Sequence, residues 1–349
     1  MYLLNLTQVS RVKQIHTYGV ERGMRSITTE ASVFRLFATL ILMTSSTVWG
    51  GDFEDGMAAI HKADYSAAVP LLKSAAEKGE AEAQYNLGVM YHRGRGVPKD
   101  YAKAVHWYTL AAEQGLADAQ ASLGVMYDRG AGVAQDYDEA VRLFTLSARQ
   151  GLARGEYNLG TMYAKGLGVS QDYHHAGQLY KSAAEKGLAE AQLAVSALYM
   201  TGEGLPRDYK EAMRFSTKAA QQGLAKAHYN LGLMYSQGLG VKQDYSEAMR
   251  LFMKAAQQGL GEAQYNLGVI YGQGLGVPPN YAESANWYSL AAKQGVAQAQ
   301  YNLGVMYERG EGVLQDNAEA ARLYTRAAEQ GLAEAQYSLG NMYARGEGV

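Results

Sequence analysis

The side chains best suited to acid–base or metal chemistry are the seven histidines, at positions 16, 61, 92, 106, 174, 175 and 228. No two of them follow the H-E-x-x-H arrangement of zinc enzymes, and the chain has no cysteine to complete a zinc site. His174 and His175 are adjacent, but neighbours on a helix diverge by about 100°, so the two rings cannot hold one ion. The sequence therefore predicts no metal site and no cofactor.

Motifs for nucleophilic or phosphate chemistry are also missing from the sequence. It contains neither G-x-S-x-G nor G-x-x-x-x-G-K-[ST]. Its many G-x-G pairs follow segments of helical periodicity, whereas a dinucleotide site needs a strand before the glycines. One S-x-x-K pair, Ser10 and Lys13, matches a pattern of serine β-lactamases. We therefore expect no catalytic residues and a protein that is not an enzyme.

The composition indicates a folded chain that uses one kind of turn many times. Hydrophobic residues make up 48% of the 349 residues, and 40 residues are glycine. Glycine at this frequency without a collagen period indicates a repeated turn. The formal net charge of −2 provides no broad basic surface, so we expect no nucleic-acid partner.

Residues 24–50 are typical of a secretory signal peptide. Arg25 and Arg35 supply positive charge before an apolar run at 36–43, and Gly50 is a small residue at a cleavage site. The apolar run is shorter than the roughly 20 residues that span a bilayer, so we expect no membrane span. The signal predicts an exported protein, either periplasmic or secreted.

Residues 1–23 fit no part of such a signal. We interpret them as an annotated extension upstream of the true start at Met24. The alternative is that the whole segment 1–50 is a leader without a targeting role, in which case we expect a cytoplasmic protein.

A repeat of 36 residues organises the remainder of the chain. The string Tyr-Asn-Leu-Gly, or a variant of it, ends at positions 88, 124, 160, 196, 232, 268, 304 and 340, with no insertion or deletion. This register defines the leader (1–50), a divergent half repeat (51–80), seven full repeats (81–332) and a truncated last repeat (333–349). A single unit of this size cannot bury its apolar faces, so the units must stack.

Each unit encodes two helices, which we name helix A and helix B. In the first full repeat, Ala83 and Leu87 share one face of a predicted helix A over residues 81–93. Gly94 is predicted to end it in a left-handed cap, and Asp100 is predicted to cap the start of helix B. We expect the tyrosines at 91, 127, 163, 235, 271, 307 and 343 to lie mainly in the core.

These repeated residues resemble the Sel1-like repeats, which are relatives of the tetratricopeptide repeats. The resemblance covers residues 52–349. It implies an all-α, right-handed α/α superhelical solenoid of about seven to eight repeats, and an adaptor or scaffold that binds other proteins or peptides. It rests on Ala83, Leu87, Gly88, Tyr91, Gly94, Gly96, Val97, Asp100, Tyr101, Ala104, Tyr108, Ala111, Ala112 and Gly115, each reiterated every 36 residues.

Two parts of the chain depart from the repeat pattern. The fourth full repeat, residues 189–224, reads Leu-Ala-Val-Ser at 193–196 in place of Tyr-Asn-Leu-Gly, so we expect altered curvature or partner contact there. The last repeat ends at Val349, before any helix B. An open end of this kind predicts fraying, self-association or a further C-terminal segment.

The helix A residues that point away from the predicted core form the candidate partner-binding surface. Similarity to the tetratricopeptide groove places this surface on the concave face. An asparagine recurs there, and its amide both donates to and accepts from a peptide backbone. Basic residues recur at 93, 129, 165, 309 and 345 and favour an acidic or carboxylate feature of the partner. The candidate residues are Tyr85, Asn86, Arg93, Asn158, Asn230, Asn266, Asn302 and Arg309.

Two alternatives remain open on the sequence alone. The asparagines could instead bind the backbone of a neighbouring unit, and the basic residues could be a solvated face near a helix C-terminus. The function could instead be that of a cell-envelope enzyme, or a peptidoglycan- or β-lactam-binding protein, because cysteine-rich Sel1-like proteins are linked to that chemistry. The lack of cysteine and the position of Ser10 in the expected leader both argue against it.

Overall fold

The computed structural model of the protein describes residues 51–348, and every regular element in that range is an α-helix. The N-terminal pair is α1 (Asp52–His61) and α2 (Tyr65–Glu77). The A helices that follow are α3 (Ala81–Arg93), α5 (Ala117–Arg129), α7 (Ala153–Lys165), α9 (Ala189–Thr201), α11 (Ala225–Gln237), α13 (Gly261–Gln273), α15 (Ala297–Arg309) and α17 (Ala333–Arg345). The B helices are α4 (Tyr101–Glu113), α6 (Tyr137–Arg149), α8 (Tyr173–Glu185), α10 (Tyr209–Gln221), α12 (Tyr245–Gln257), α14 (Tyr281–Lys293) and α16 (Asn317–Glu329).

Capping residues set the helix ends at the predicted positions. The Oδ1 atom of Asp100 accepts a hydrogen bond from the backbone N–H of Lys103 at 2.9 Å and so begins α4. Gly94 ends α3 with φ 67° and ψ 39°, the left-handed conformation that glycine adopts without a steric penalty. The predictions for the bounds of α3 and for both caps are confirmed.

Small and large apolar side chains together fill the space between the helices. Ala83 and Leu87 of α3, and Ala104 and Ala111 of α4, are fully buried. Each helix packs against the helix before it and the helix after it in the chain. The core is therefore a series of small clusters that continues from repeat to repeat, which confirms an all-α solenoid.

The helix A tyrosines are less buried than the sequence predicted. Tyr91 and Tyr127 are half-buried and pack against the edges of the apolar clusters. Tyr343 is 64% exposed, so the prediction of a core position is wrong for this residue. Its repeat has no helix B among the described residues, whereas the Tyr91 ring is covered by Lys103 of α4, with 5.4 Å between the ammonium and the ring centroid.

A glycine on helix A makes room for an aromatic ring of helix B. A Cβ atom built at Gly88 would lie 2.7 Å from Cδ1 and Cε1 of Tyr108. At Gly268 the same atom would lie 2.5 Å from Cδ1 and Cε1 of Tyr288. Carbon atoms pack best about 3.5–4.0 Å apart, so the ring and a Cβ atom cannot share this space. These helical glycines are therefore required by packing.

In five of the seven full repeats a bonded pair of glutamines lies at the junction with the preceding repeat, a feature that the sequence did not predict. The Nε2 atom of Gln84 donates to the carbonyl oxygen of Ala76 at 3.1 Å, and its Oε1 accepts from Nε2 of Gln114 at 2.8 Å. Gln114 also donates to the carbonyl oxygen of Gly79 at 3.0 Å. Gln84 is buried, and these bonds satisfy its amide.

The fourth full repeat replaces both the glycine and the aromatic ring with serine. The Oγ atoms of Ser196 and Ser216 lie 2.6 Å apart, and Ser196 donates to the carbonyl oxygen of Ala212 at 2.8 Å. Both serines are fully buried. Phe215 lies beside them but packs elsewhere in the core, stacked on Tyr199 with 6.1 Å between ring centroids. The two serines thus connect α9 and α10 by hydrogen bonds at the place where other repeats pack a helix B ring against a glycine.

The leader and its cleavage site, residues 1–50, lie outside the described residues, so the predictions for this segment stay predictions. From residue 51 to 348, no helix is long and apolar enough to cross a bilayer.

Candidate functional site

The candidate residues all lie on A helices and form one repeated surface, which we call the helix-A face. It consists of the residues equivalent to Tyr85, Asn86, Val89 and Arg93 in each repeat. Tyr85 and Asn86 are half-buried, and Arg93 at the end of α3 is exposed. Arg309 is likewise exposed at the equivalent position of α15. The equivalent asparagines of the other repeats are also half-buried: Asn158, Asn230, Asn266 and Asn302.

The asparagine amides use part of their hydrogen-bonding capacity within their own helix. Nδ2 of Asn86 donates to the carbonyl oxygen of Glu82, and Nδ2 of Asn266 donates to that of Glu262, both at 2.8 Å. The acceptor is in the same helix in both cases, not in a neighbouring unit. An amide has two donor hydrogens and one acceptor oxygen, so a donor and an acceptor remain for another group. Nδ2 of Asn158 is buried and has no partner among the described residues.

The tyrosines of the helix-A face pack on the rings of helix B. The ring centroids of Tyr85 and Tyr108 lie 5.8 Å apart, and four later repeats hold equivalent pairs at 5.5–5.8 Å. Burial raises the pKa of Tyr229, the Asn266 amide of the next repeat opposes that rise, and the Glu262 carboxylate adds to it. The Tyr229 hydroxyl therefore lies close to polar side chains of the following repeat.

A pocket of about 720 Å³ opens on the helix-A face at the fourth full repeat. Leu193, Ala194 and Ala197 of α9 line it, together with Tyr157 and Tyr229 from the repeats on either side. These three α9 residues occupy the positions that Tyr85, Asn86 and Val89 occupy in the first full repeat, and each is smaller. Glu190, Lys226, Asn230 and Glu262 are the polar residues of the lining.

A second pocket, of about 270 Å³, brings two candidate residues together. Asn302 and Arg309 of α15 line it with Tyr301, next to Tyr288 of the preceding repeat. Burial raises the pKa of Tyr288 to about 12, against the opposing hydrogen bond from Asn302. Arg309 lies 3.8 Å from Glu311, an exposed ion pair that leaves most of the guanidinium accessible. This pocket suits a ligand that carries an acceptor or a carboxylate.

The candidate residues of the first full repeat line neither of these pockets. The basic series is also interrupted, because the three repeats around the larger pocket carry Thr201, Gln237 and Gln273 where others carry Lys or Arg. The candidates therefore lie along one face of the solenoid. Of these residues, only Asn230, Asn302 and Arg309 line one of the two pockets.

The variant stretch at 193–196 is evident in the sequence, which nevertheless does not predict a pocket there. The available signal was the joint change at Leu193, Ala194 and Ala197, which places smaller side chains at three positions of the helix-A face. Among residues 51–348, no cluster of histidine, aspartate and glutamate is arranged to hold a metal ion.

Comparison with known proteins identifies the family. The Sel1 repeat profile matches residues 54–80, 81–116, 117–152, 153–188, 189–224, 225–260, 261–296, 297–332 and 333–349. No curated protein matches the chain.

Two solved structures share both sequence and fold with it. One is c5321, a protective antigen of uropathogenic Escherichia coli strains with an SLR fold, 37% identical over 88% of this chain and 67% of that chain, with a TM-score of 0.73. The other is a Sel1 repeat protein of Oxalobacter formigenes, 33% identical over 69% of this chain and 99% of that chain, with a TM-score of 0.64. The chain therefore belongs to the Sel1 repeat family.

Proposed function

We propose that this protein is a non-catalytic scaffold that binds a partner protein or peptide along the helix-A face. One observation carries the proposal: half-buried tyrosine and asparagine side chains recur on that face in five of the seven full repeats, and members of both sets line both of its pockets. A surface of this kind offers aromatic contact area and polar groups over several repeats, which suits an extended polypeptide.

The asparagines are proposed to bind the backbone of the partner. Asn86 and Asn266 each keep an acceptor and a donor after bonding their own helix. Asn230, Asn266 and Asn302 lie in three consecutive repeats, so their amides would meet an extended chain at regular intervals. Arg93 and Arg309 are exposed and are proposed to bind acidic groups of the partner.

Affinity capture with the purified chain tests this proposal. We expect capture to fail when Asn86, Asn230, Asn266 and Asn302 are changed together to Ala, while helicity by circular dichroism persists. A collapse of helicity would instead assign these asparagines a structural role, and undiminished capture would contradict the proposed surface.

A matched control comes from threonines on the B helices. Thr109, Thr145 and Thr325 also donate to a carbonyl oxygen four residues earlier in their own helix. Changing these three together with Thr217 to Ala removes four polar groups away from the helix-A face. We expect this variant to capture the partner as the parent chain does.

The absence of catalysis and the export of the chain are parts of the same proposal with separate tests. Hydrolysis of nitrocefin above background by the purified protein would contradict a non-catalytic role. N-terminal sequencing of the protein from its native cells is expected to start at Gly51, and an intact Met1 would contradict both the signal peptide and the start at Met24.

A further inference from the structure

We propose that the pocket of the fourth full repeat receives an aromatic side chain of the partner, next to a lysine or arginine in the partner sequence. This inference rests on the proposed function, because it names the chemistry that one part of the helix-A face recognises. The pocket is lined by Leu193, Ala194 and Ala197, with Tyr157 and Tyr229 beside them.

The fourth full repeat carries smaller side chains on the helix-A face than the first full repeat does. In five other repeats a helix A tyrosine and a helix B ring pack together with centroids 5.5–5.8 Å apart. In the fourth full repeat these positions hold Leu193 and Ser216. Ser196 and Ser216 are fully buried and bonded to each other, so the open space lies at Leu193, Ala194 and Ala197. The second full repeat lacks only the tyrosine, with Ala121 in its place and Phe144 retained, so among the seven full repeats the fourth alone lacks both rings.

The pocket is large enough to take an aromatic ring. Its volume of about 720 Å³ lies in the range of roughly 300–1,000 Å³ that holds small ligands or a large side chain with adjoining backbone. Tyr157 and Tyr229 present ring surface from both sides, and aromatic pairs gain from offset or edge-to-face contact. Tryptophan and tyrosine are also the residues that most often anchor a partner in such pockets.

The rim of the pocket carries more acidic than basic side chains. Glu190, Lys226 and Glu262 are exposed and line the pocket, so two carboxylates face one ammonium group. None of the three forms an ion pair with another described residue. A cationic residue beside the aromatic anchor would pair with either carboxylate without competing with an existing partner.

The experiment starts from a display library of short random peptides selected on the purified chain. We expect the enriched peptides to share an aromatic residue adjacent to lysine or arginine. Their binding is then measured to a variant with Leu193→Tyr, Ala194→Asn and Ala197→Val, which places at the pocket lining the residues that the first full repeat carries and so fills the pocket. We expect affinity to fall about tenfold or more, the loss typical of removing an anchor contact.

A second variant tests the rim without altering the core. Glu190→Lys with Glu262→Lys should weaken the same peptides about tenfold, the size of a lost charge-assisted contact. Glu82→Lys, at the equivalent helix position in the first full repeat, should leave their affinity unchanged. Circular dichroism confirms that each variant is folded.

The outcomes separate this inference from the proposed function. Enriched peptides that lack the aromatic–basic pair, or that bind the filled variant as tightly as the parent chain, overturn the inference and leave the scaffold function standing. Failure to enrich any peptide overturns the scaffold function and the inference with it. Loss of binding in the filled and charge-reversed variants, with the Glu82→Lys control intact, supports the inference.

Discussion

The ammonium nitrogen of Lys186 lies 2.6 Å from Oε1 of Glu156, at the two positions where other repeats pair glutamines. Lys186 also donates to the carbonyl oxygen of Gly151 in the preceding repeat at 2.8 Å, as Gln114 does to Gly79. Glu156 is 8% exposed and accepts a further bond from Ser182. A charged pair thus replaces an amide pair in one repeat and keeps the bond to the preceding glycine carbonyl. It lacks the bond that Gln84 donates to Ala76, and Oε2 of Glu156 is buried with no partner among the described residues.

Changing Lys186→Met should destabilise the protein by about 2 kcal/mol, because it leaves a buried carboxylate with too few partners. The double variant Glu156→Gln with Lys186→Gln should recover to within about 1 kcal/mol of the parent, since it rebuilds the pairing of Gln84 and Gln114. Urea denaturation followed by circular dichroism measures both. Equal stability of the Lys186→Met variant and the parent would show that the pair contributes nothing.

Gly268→Ala should destabilise the protein by about 1–3 kcal/mol, because its Cβ atom would overlap the Tyr288 ring. Gly340→Ala is the matched control on helix α17, since a Cβ atom there meets nothing within 4 Å. Alanine favours a helix over glycine by up to about 1 kcal/mol, so the control should be neutral or slightly stabilising. Thermal melting distinguishes the two, and equal losses at both positions would contradict the packing argument.

Stability should fall as the pH rises from about 10 to 12. Tyrosine has an ordinary pKa of 10.0, and burial raises the pKa of Tyr288 to about 12. The unfolded chain therefore loses this proton first, and stability present below pH 10 is lost up to pH 12. Burial raises the pKa of Tyr108 and Tyr324 in the same direction.

The variant Tyr288→Phe isolates one such group. It should reduce the loss of unfolding free energy between pH 10 and 12 by roughly 3 kcal/mol, the equivalent of two pKa units. Urea denaturation at several pH values measures the difference. An unchanged pH dependence in the variant would show that the Tyr288 hydroxyl titrates alike in the folded and unfolded chains.

Local signals explain why the sequence predicted the helices so closely. The bounds of α3 follow from the spacing of Ala83 and Leu87, and its end from Gly94, whose left-handed conformation a side chain would resist. Asp100 marks the start of α4 through its bond to a free backbone amide. The apolar spacing and the capping residues each involve only a few neighbouring positions. The 36-residue period repeats these signals along the chain, which makes them easy to recognise.

Contacts between repeats were harder to predict, because they join residues that are distant along the chain. Gln84 looks like an ordinary polar helix residue, and its burial depends on Ala76 and Gln114 in three-dimensional proximity. The pocket at Leu193 is likewise defined by Tyr157 and Tyr229 from flanking repeats. Only the joint exchanges within one repeat, such as Glu156 with Lys186, mark these pairs in the sequence.

The bonds from Gln114 to Gly79 and from Gln150 to Gly115 join residues 35 positions apart and differ only by a shift of one repeat. A duplication or loss of one whole unit would therefore reconnect the same atoms at the new junction. Evolution can therefore lengthen or shorten this molecule in steps of one 36-residue repeat. The length of the solenoid is thus set by the number of repeats, independently of the residues that any single repeat carries on its surface.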